Sequence, residues 1–298
     1  MRNRLISVFL VFILFSSKAF SAASGTTIFD FLKLPKNAVQ ASLGSMSSFG
    51  QNPAELALVK KYNIQATHAV HFQDVTYNTF CFSAPIKQYG LSIMYYGLDY
   101  GNIKRVRELP NGDYREEGTF TAGDYCVQIN AGQPISESIC LGAGIKYINQ
   151  DIDGSSLSSA AADLSILYLS TAYWSISGGL ENIGFRVEGY NLPSSAYIGY
   201  RNGLADSFDV GFEFKAFFDG IMQLRSAIEL NNNQRFFLRL AYILQLNNSN
   251  KSLGEWYKRN LSLGFGINIK EIISVDYSWL PFGDLGNTNI VSLKVEFK

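Results

Sequence analysis

The sequence is short of charge, of histidine and of long apolar runs. Charged residues fill 17% of its 298 positions, against roughly 25% in an ordinary soluble domain. There are two histidines in all, and no G-x-S-x-G segment occurs, so a nucleophile–base pair has little to be built from and no catalytic residues are assigned. Three cysteines (Cys81, Cys126, Cys140) are too few for a disulfide framework. Basic and acidic residues balance at 25 each, which leaves no basic stripe for nucleic acid. Beyond the first two dozen residues no apolar stretch approaches the 18 or so positions of a membrane-spanning helix. His68 and His71 form H-x-x-H, but on a strand residues three apart face opposite sides, so no shared metal ion is expected. No cofactor is implied.

The one long apolar run lies at the start. Arg2 and Arg4 precede "LISVFLVFILF", and "SSKAFSAA" then supplies small residues for cleavage after Ser21 or Ala23. That pattern is a secretory signal peptide over residues 1–23. Losing Arg2, Arg4 and Lys18 with it leaves 22 basic residues against 25 acidic, a net charge of −3.

What the chain has is aromatic content and alternation. Aromatics make up 14%, with 17 Tyr and 22 Phe. Residues 24–62 carry no strand-like pattern. Ile28, Phe31 and Leu32 share one face of a short helix that should stop before Pro35. A second short helix, "PAELALVKK", takes Asn52 as N-cap and Pro53 at its first position. From about residue 63 to 298 the period is two. Phe208, Val210, Phe212, Phe214 and Ala216 oppose Ser207, Asp209, Gly211, Glu213 and Lys215. Leu261, Leu263, Phe265, Ile267 and Ile269 oppose Asn260, Ser262, Gly264, Gly266, Asn268 and Lys270. About fourteen such runs are separated by turn signals such as "LPNGD" and "RNGLAD", and the surface loops between them look short.

Most runs reach ten residues or more, whereas strands of soluble sheets cluster near 5–6 and a tilted membrane-crossing strand needs about 9–11. Tyr and Trp gather near run ends, among them Tyr95, Tyr96, Tyr100, Trp256, Tyr257, Tyr277 and Trp279, where an interfacial belt belongs. The expected fold is therefore all-β: a transmembrane antiparallel up-and-down barrel of about fourteen strands. The alternative is a soluble secreted β-sandwich, in which the two apolar faces pack on each other.

Several stretches resemble one family. "GTTIFDFLKLPKNAVQASLGS", "NPAELAL", "LSTAYWSISGGLENIGFRV" and "ISVDYSWLPFGDLGNTNIVSLKVEF" are similar, in order, to the PorV/PorQ-like branch of FadL-type outer-membrane barrels. The resemblance implies a short N-terminal hatch, or plug, in the barrel lumen, with Asn52, Pro53 and Ala54 as its motif. It also implies outer-membrane lipid as surroundings. The implied role is passage of hydrophobic small molecules of the long-chain fatty-acid type. A PorV-like part in a type IX-like secretion system is the alternative.

Within that frame Ile28, Phe31 and Leu32 either contact such a ligand or pack on Leu56, Ala57 and Leu58. Asp124, Lys146, Asp209, Glu213, Lys215, Arg239 and Lys270 are expected to face the lumen, where water or a plug requires polarity. Cys126 and Cys140 flank one turn; pairing them would centre the hairpin on Gln133, while the turn residues favour a later centre and free thiols. At the end of the chain Val291, Leu293, Val295 and Phe297 would face lipid on the closing strand. By resemblance, its terminal aromatic is also read by the barrel insertion machinery.

Overall fold

The structure is a computed structural model and describes residues 27–71, 73, 75–170, 173–205, 207–246, 260–282 and 286–298. The expected signal peptide and the belt residues Trp256 and Tyr257 lie outside that set. Alternating sequence becomes fourteen strands. They are β1 (Tyr62–Val70), β2 (Thr76–Ile86), β3 (Tyr89–Glu108), β4 (Tyr114–Pro134), β5 (Ile139–Ile152), β6 (Ser155–Leu169) and β7 (Trp174–Gly184). The second half comprises β8 (Ser195–Ala205), β9 (Phe208–Phe217), β10 (Met222–Asn232), β11 (Phe236–Gln245), β12 (Leu261–Ile269), β13 (Ile273–Pro281) and β14 (Asn287–Phe297). Each pairs antiparallel with its neighbours in sequence, and β14 returns to β1, so the sheet is one closed barrel. A single closed sheet excludes the sandwich alternative, which needs two.

Because the strand number is even, the start of β1 and the end of β14 meet at one end of the barrel, here called the near end; Tyr62 lies opposite Phe297 in the register. The two rings stack with centroids 5.8 Å apart and planes 12° from parallel. Outward positions are large and apolar, for example Ile145 (66% exposed) and Phe212 (50%), and so are Val291, Leu293 and Phe297. A closed wall with such an exterior satisfies every ladder hydrogen bond while presenting hydrocarbon to its surroundings, which is the requirement for spanning a bilayer with strands. Phe297→Ala removes an aromatic stack of about 0.5–1.5 kcal/mol at the closing seam. Its heat-modifiable, closed form should therefore fall on gels, whereas removal of Lys298 should leave that form unchanged.

Two sequence expectations need correction here. Lys270 does not line the lumen: β12 ends at Ile269, and Lys270 sits exposed in the turn to β13 with φ 53, followed by Glu271 with φ 56. The alternation had been carried one residue past the strand. The exterior turns look short in sequence, yet the β3–β4 hairpin projects as an arm. Its pairing runs on to Glu108↔Tyr114, whereas β2 leaves β3 at Asp99 and β5 leaves β4 at Ala122. The extension lies in paired strand rather than in loop, which is why loop length did not reveal it.

Residues 27–61 run through the inside of the barrel. They form a 3-10 helix (Asp30–Lys33), a five-residue helix α1 (Ala38–Ser42) and a second 3-10 helix (Pro53–Leu58). Asn52 caps the last of these as its sequence predicts, accepting from the Ala54 amide at 3.0 Å. Helix α1 has no amphipathic stripe to announce it, because Ala38, Gln40, Ala41 and Ser42 are all buried. Asn37 starts it by accepting from the Gln40 amide at 2.8 Å.

Candidate functional site: the plugged lumen

The lumen has two zones. At the far end, inward positions of the wall turn apolar: Tyr77 of β2, Tyr96 and Leu98 of β3, Ile148 of β5 and Ile290 of β14 are buried there. Phe29, Phe31 and Leu32 of the hatch fill this zone, with Ile28 at its edge. These residues pack on the wall and form a cluster separate from that around Ala54 and Ala57. The expected packing of Ile28, Phe31 and Leu32 on Leu56, Ala57 and Leu58 is thus replaced by packing on inward aromatics. Tyr96 Oη also donates to the Phe31 carbonyl at 3.1 Å, which anchors the hatch backbone to the wall.

Below this zone the wall approaches the hatch more closely than side chains allow, and glycine makes that contact. A methyl group at Gly90 would lie 1.8 Å from the Leu56 carbonyl oxygen, and one at Gly142 would lie 2.0 Å from the Ala54 nitrogen. Gly199 and Gly264 similarly receive Ser48 and Ser42, each within 2.3 Å of the missing Cβ. The hatch is held in a cradle of absent side chains, a recognised use of glycine in strands. Hydrogen bonds complete the seat. The Ala54 amide donates to Ser165 Oγ (2.9 Å), the Ala38 amide to Ser292 Oγ (2.8 Å) and the Ser48 amide to Glu213 Oε2 (2.9 Å).

A belt of buried ion pairs lines the polar zone from β5 to β13. Lys146 meets Asp163 at 2.8 Å, and Lys215 pairs with Glu181. Arg225 reaches Glu213 at 3.4 Å, and Arg239 bridges Glu229 (2.5 Å) and Asp276 (2.6 Å). Asp209 accepts from Arg201 at 3.0 Å, and Asp124 accepts from Tyr100 at 2.7 Å near the apolar zone. Six of the seven expected lumen residues therefore point inward, and five of them are in ion pairs. Sequence reading named none of the counterions Asp163, Glu181, Arg225, Glu229 and Asp276. Their signal was available, since Arg225 stands directly across from Glu213 and Arg239 from Glu229 in the ladder. The two histidines do part company: His68 points outward and bonds Asn78 at 2.8 Å, while the His71 ring meets Phe282 edge-on at 5.1 Å. The three cysteines are free, and Pro134↔Cys140 pairing sets the β4–β5 hairpin well past Gln133.

Between hatch and wall lies a cavity of about 550 Å³ that reaches the near end through Asn63, Gln234, Asn268 and Ser274. Glu55 of the second 3-10 helix borders it and accepts from Asn52 Nδ2 at 2.7 Å. Burial pushes its carboxyl up to about 7, against the pull of the Gly50 amide and Arg201. The raised value means the seated hatch binds a proton that the released segment does not. Seating is accordingly undisturbed below the free carboxyl's pKa and weakens as pH climbs from there through 7, by at most about 3 kcal/mol. Pore conductance should thus increase between pH 6 and pH 8, and Glu55→Gln should flatten that profile.

No protein-family model matches the sequence, and no curated protein resembles it in sequence. Solved structures do share its shape. The Pseudomonas putida toluene transporter TodX superimposes with TM-score 0.65 at 11% identity, covering 88% of this chain and 99% of that one. The CymD monoaromatic hydrocarbon channel gives 0.64 at 11%, with 88% and 98% covered. A Pseudomonas aeruginosa FadL homologue gives 0.54 at 10%, with 94% and 96% covered. The chain has the FadL-type fold. At these identities it is the architecture that is shared.

Proposed function

We propose that the protein is an outer-membrane channel that binds hydrophobic small molecules and passes them across the outer membrane. The observation that carries this reading is the seating of apolar hatch side chains in an apolar far zone, inside a wall whose exterior is itself apolar. Phe29, Phe31 and Leu32 occupy space that an apolar solute would fill, so capture and hatch movement become one exchange. The names of the similar structures, toluene transporters and monoaromatic hydrocarbon channels, support the solute class. The chain's layout follows: leader 1–23, hatch 24–62 bearing the Asn52, Pro53 and Ala54 motif, and barrel 63–298. The closing strand with Phe297 serves as the signal for the insertion machinery. N-terminal sequencing of the membrane-extracted protein should begin at residue 22 or 24.

Transport is tested in cells lacking their own hydrocarbon channels. Expression of this protein should raise uptake of labelled toluene or decanoate over an empty vector, and equal uptake would remove the reading. A second, finer reading assigns the chain to the PorV/PorQ-like branch, as a non-transporting component of a type IX-like secretion system. The β3–β4 arm favours it, since its flank offers exposed Tyr114 and Val106 beside Lys104, Arg105 and Arg107. Removing residues 102–119 would then abolish attachment of secreted proteins, and the intact protein would give no solute uptake; the channel reading alone expects uptake and no secretion defect.

A further inference from the structure

Cations are gathered on one arc of the near end. There the β10–β11 turn carries Arg235, the β12–β13 turn Lys270, the approach to β1 Lys60 and Lys61, and the β2–β3 turn Lys87. These positions are consecutive around the barrel, since β14 closes on β1. The Asn268 amide also donates to the Arg235 carbonyl at 2.7 Å, which draws the first two turns together. Arg235, Lys270, Lys60 and Lys87 are exposed and make no ion pair among the described residues. The acids on this arc are Glu271, beside Lys270, and Glu296, which Lys294 holds at 2.8 Å and Lys61 at 3.7 Å. The rest of the near end differs. The β4–β5, β6–β7 and β8–β9 turns contain no Lys or Arg, and the first of them carries Glu137.

Within the cationic arc the wall presents stacked rings. Tyr62 lies against Phe297, and on its other side Phe82 stacks with centroids 6.4 Å apart and planes 22° from parallel. Tyr62 and Phe297 are exposed. Rings at the membrane edge with amines just beyond them suit a glycerophospholipid, its glycerol and upper chains on the aromatics and its phosphate among the amines. A zwitterionic head would bring its own cation into the cluster, whereas an acidic head would not. The opposite arc has rings too, with Tyr168 5.5 Å from Trp174 and Trp174 6.2 Å from Tyr200, but no cations beyond them. An aromatic belt alone therefore does not explain the basic arc. Lys87 and Gln88 alone join β2 to β3, whereas the long arm stands at the far end. Short turns face the periplasm in outer-membrane barrels, on the side of the phospholipid leaflet. We infer that the arc from Arg235 to Lys87 binds the phosphate of an acidic phospholipid of that leaflet, with the lipid's chains against Phe82, Tyr62 and Phe297. The inference takes only the outer-membrane placement from the reading above and does not depend on what the lumen carries.

The test titrates the full-length protein in neutral detergent with phosphatidylglycerol or with phosphatidylcholine of the same acyl chains, and counts retained lipid by native mass spectrometry. Phosphatidylglycerol should bind roughly five- to thirtyfold more tightly, as one or two basic contacts near an acidic head provide. Lys60→Gln/Lys87→Gln/Lys270→Gln should abolish that preference, with phosphatidylcholine binding and heat-modifiable mobility as in the native protein. Lys104→Gln/Arg107→Gln, on the far-end arm, should keep it. Equal retention of the two lipids by the native protein would overturn the assignment and leave the arc to a soluble acidic partner. A preference that survives the triple variant, or is lost in the arm variant, would put the lipid elsewhere and overturn it as well. Displacement of the lipid by glycerol 3-phosphate would show a free phosphate site and also overturn it. Toluene uptake is scored separately: its absence removes the channel reading and leaves the lipid site standing.

Discussion

Alanine at both Gly90 and Gly142 should unseat the hatch and open the pore while the barrel stays folded. The added methyl groups would meet the Leu56 carbonyl oxygen at 1.8 Å and the Ala54 nitrogen at 2.0 Å. Both are backbone atoms and cannot rotate aside, so the hatch must withdraw. Overpacking of this kind costs about 1–3 kcal/mol per site. Two sites on the same segment then raise the unseated population by at least about tenfold. The wall itself should tolerate the change, because alanine is no worse than glycine within a strand. In planar bilayers the double variant should approach the conductance of a barrel lacking residues 24–60. Its heat-modifiable mobility should match that of the native protein. A conductance unchanged from native would mean that the hatch does not seal the lumen.

Arg239→Met should be the most damaging substitution in the wall. Arg239 holds Glu229 and Asp276 at 2.5 and 2.6 Å, with all three side chains at most 10% exposed, and its guanidinium lies 5.0 Å from the Phe237 ring centre. Gly266 makes room for this arrangement, since a Cβ there would stand 2.3 Å from Asp276 Oδ1 and 2.9 Å from Arg239 Nη1. Removing the cation leaves two carboxylates confined together away from water, a loss of about 3–5 kcal/mol. Denaturant unfolding in detergent should register it as a lower midpoint. Adding Glu229→Gln and Asp276→Asn to the same variant should restore most of the loss, because no charge is then left without a partner. A triple variant as weak as the single one would show that packing, not charge, holds this part of the belt.

Much of the wall was legible from alternation alone. Phe208 to Lys215 and Leu261 to Asn268 fall on the expected faces because a period of two admits one solution once either face is known. The strand count was legible too, since turn residues mark each reversal. Pattern failed at Lys270, where a strand ended one residue before its alternation did. It also failed inside the lumen, where a polar inner face was expected throughout. Tyr77, Tyr96 and Ile148 break that rule at the far end, for a reason no local pattern carries: they cover Phe29 and Phe31, which lie dozens of residues away in sequence. The glycine cradle is similar. Gly90 and Gly142 read as ordinary small residues until the hatch backbone is seen against them.

Uptake by channel-deficient cells tests the central claim most directly. With labelled toluene or decanoate supplied outside, cells expressing the protein should accumulate label faster than cells carrying an empty vector, and the Gly90→Ala/Gly142→Ala variant should alter that rate. Accumulation equal to the vector control, with the barrel present and folded in the outer membrane, would contradict it.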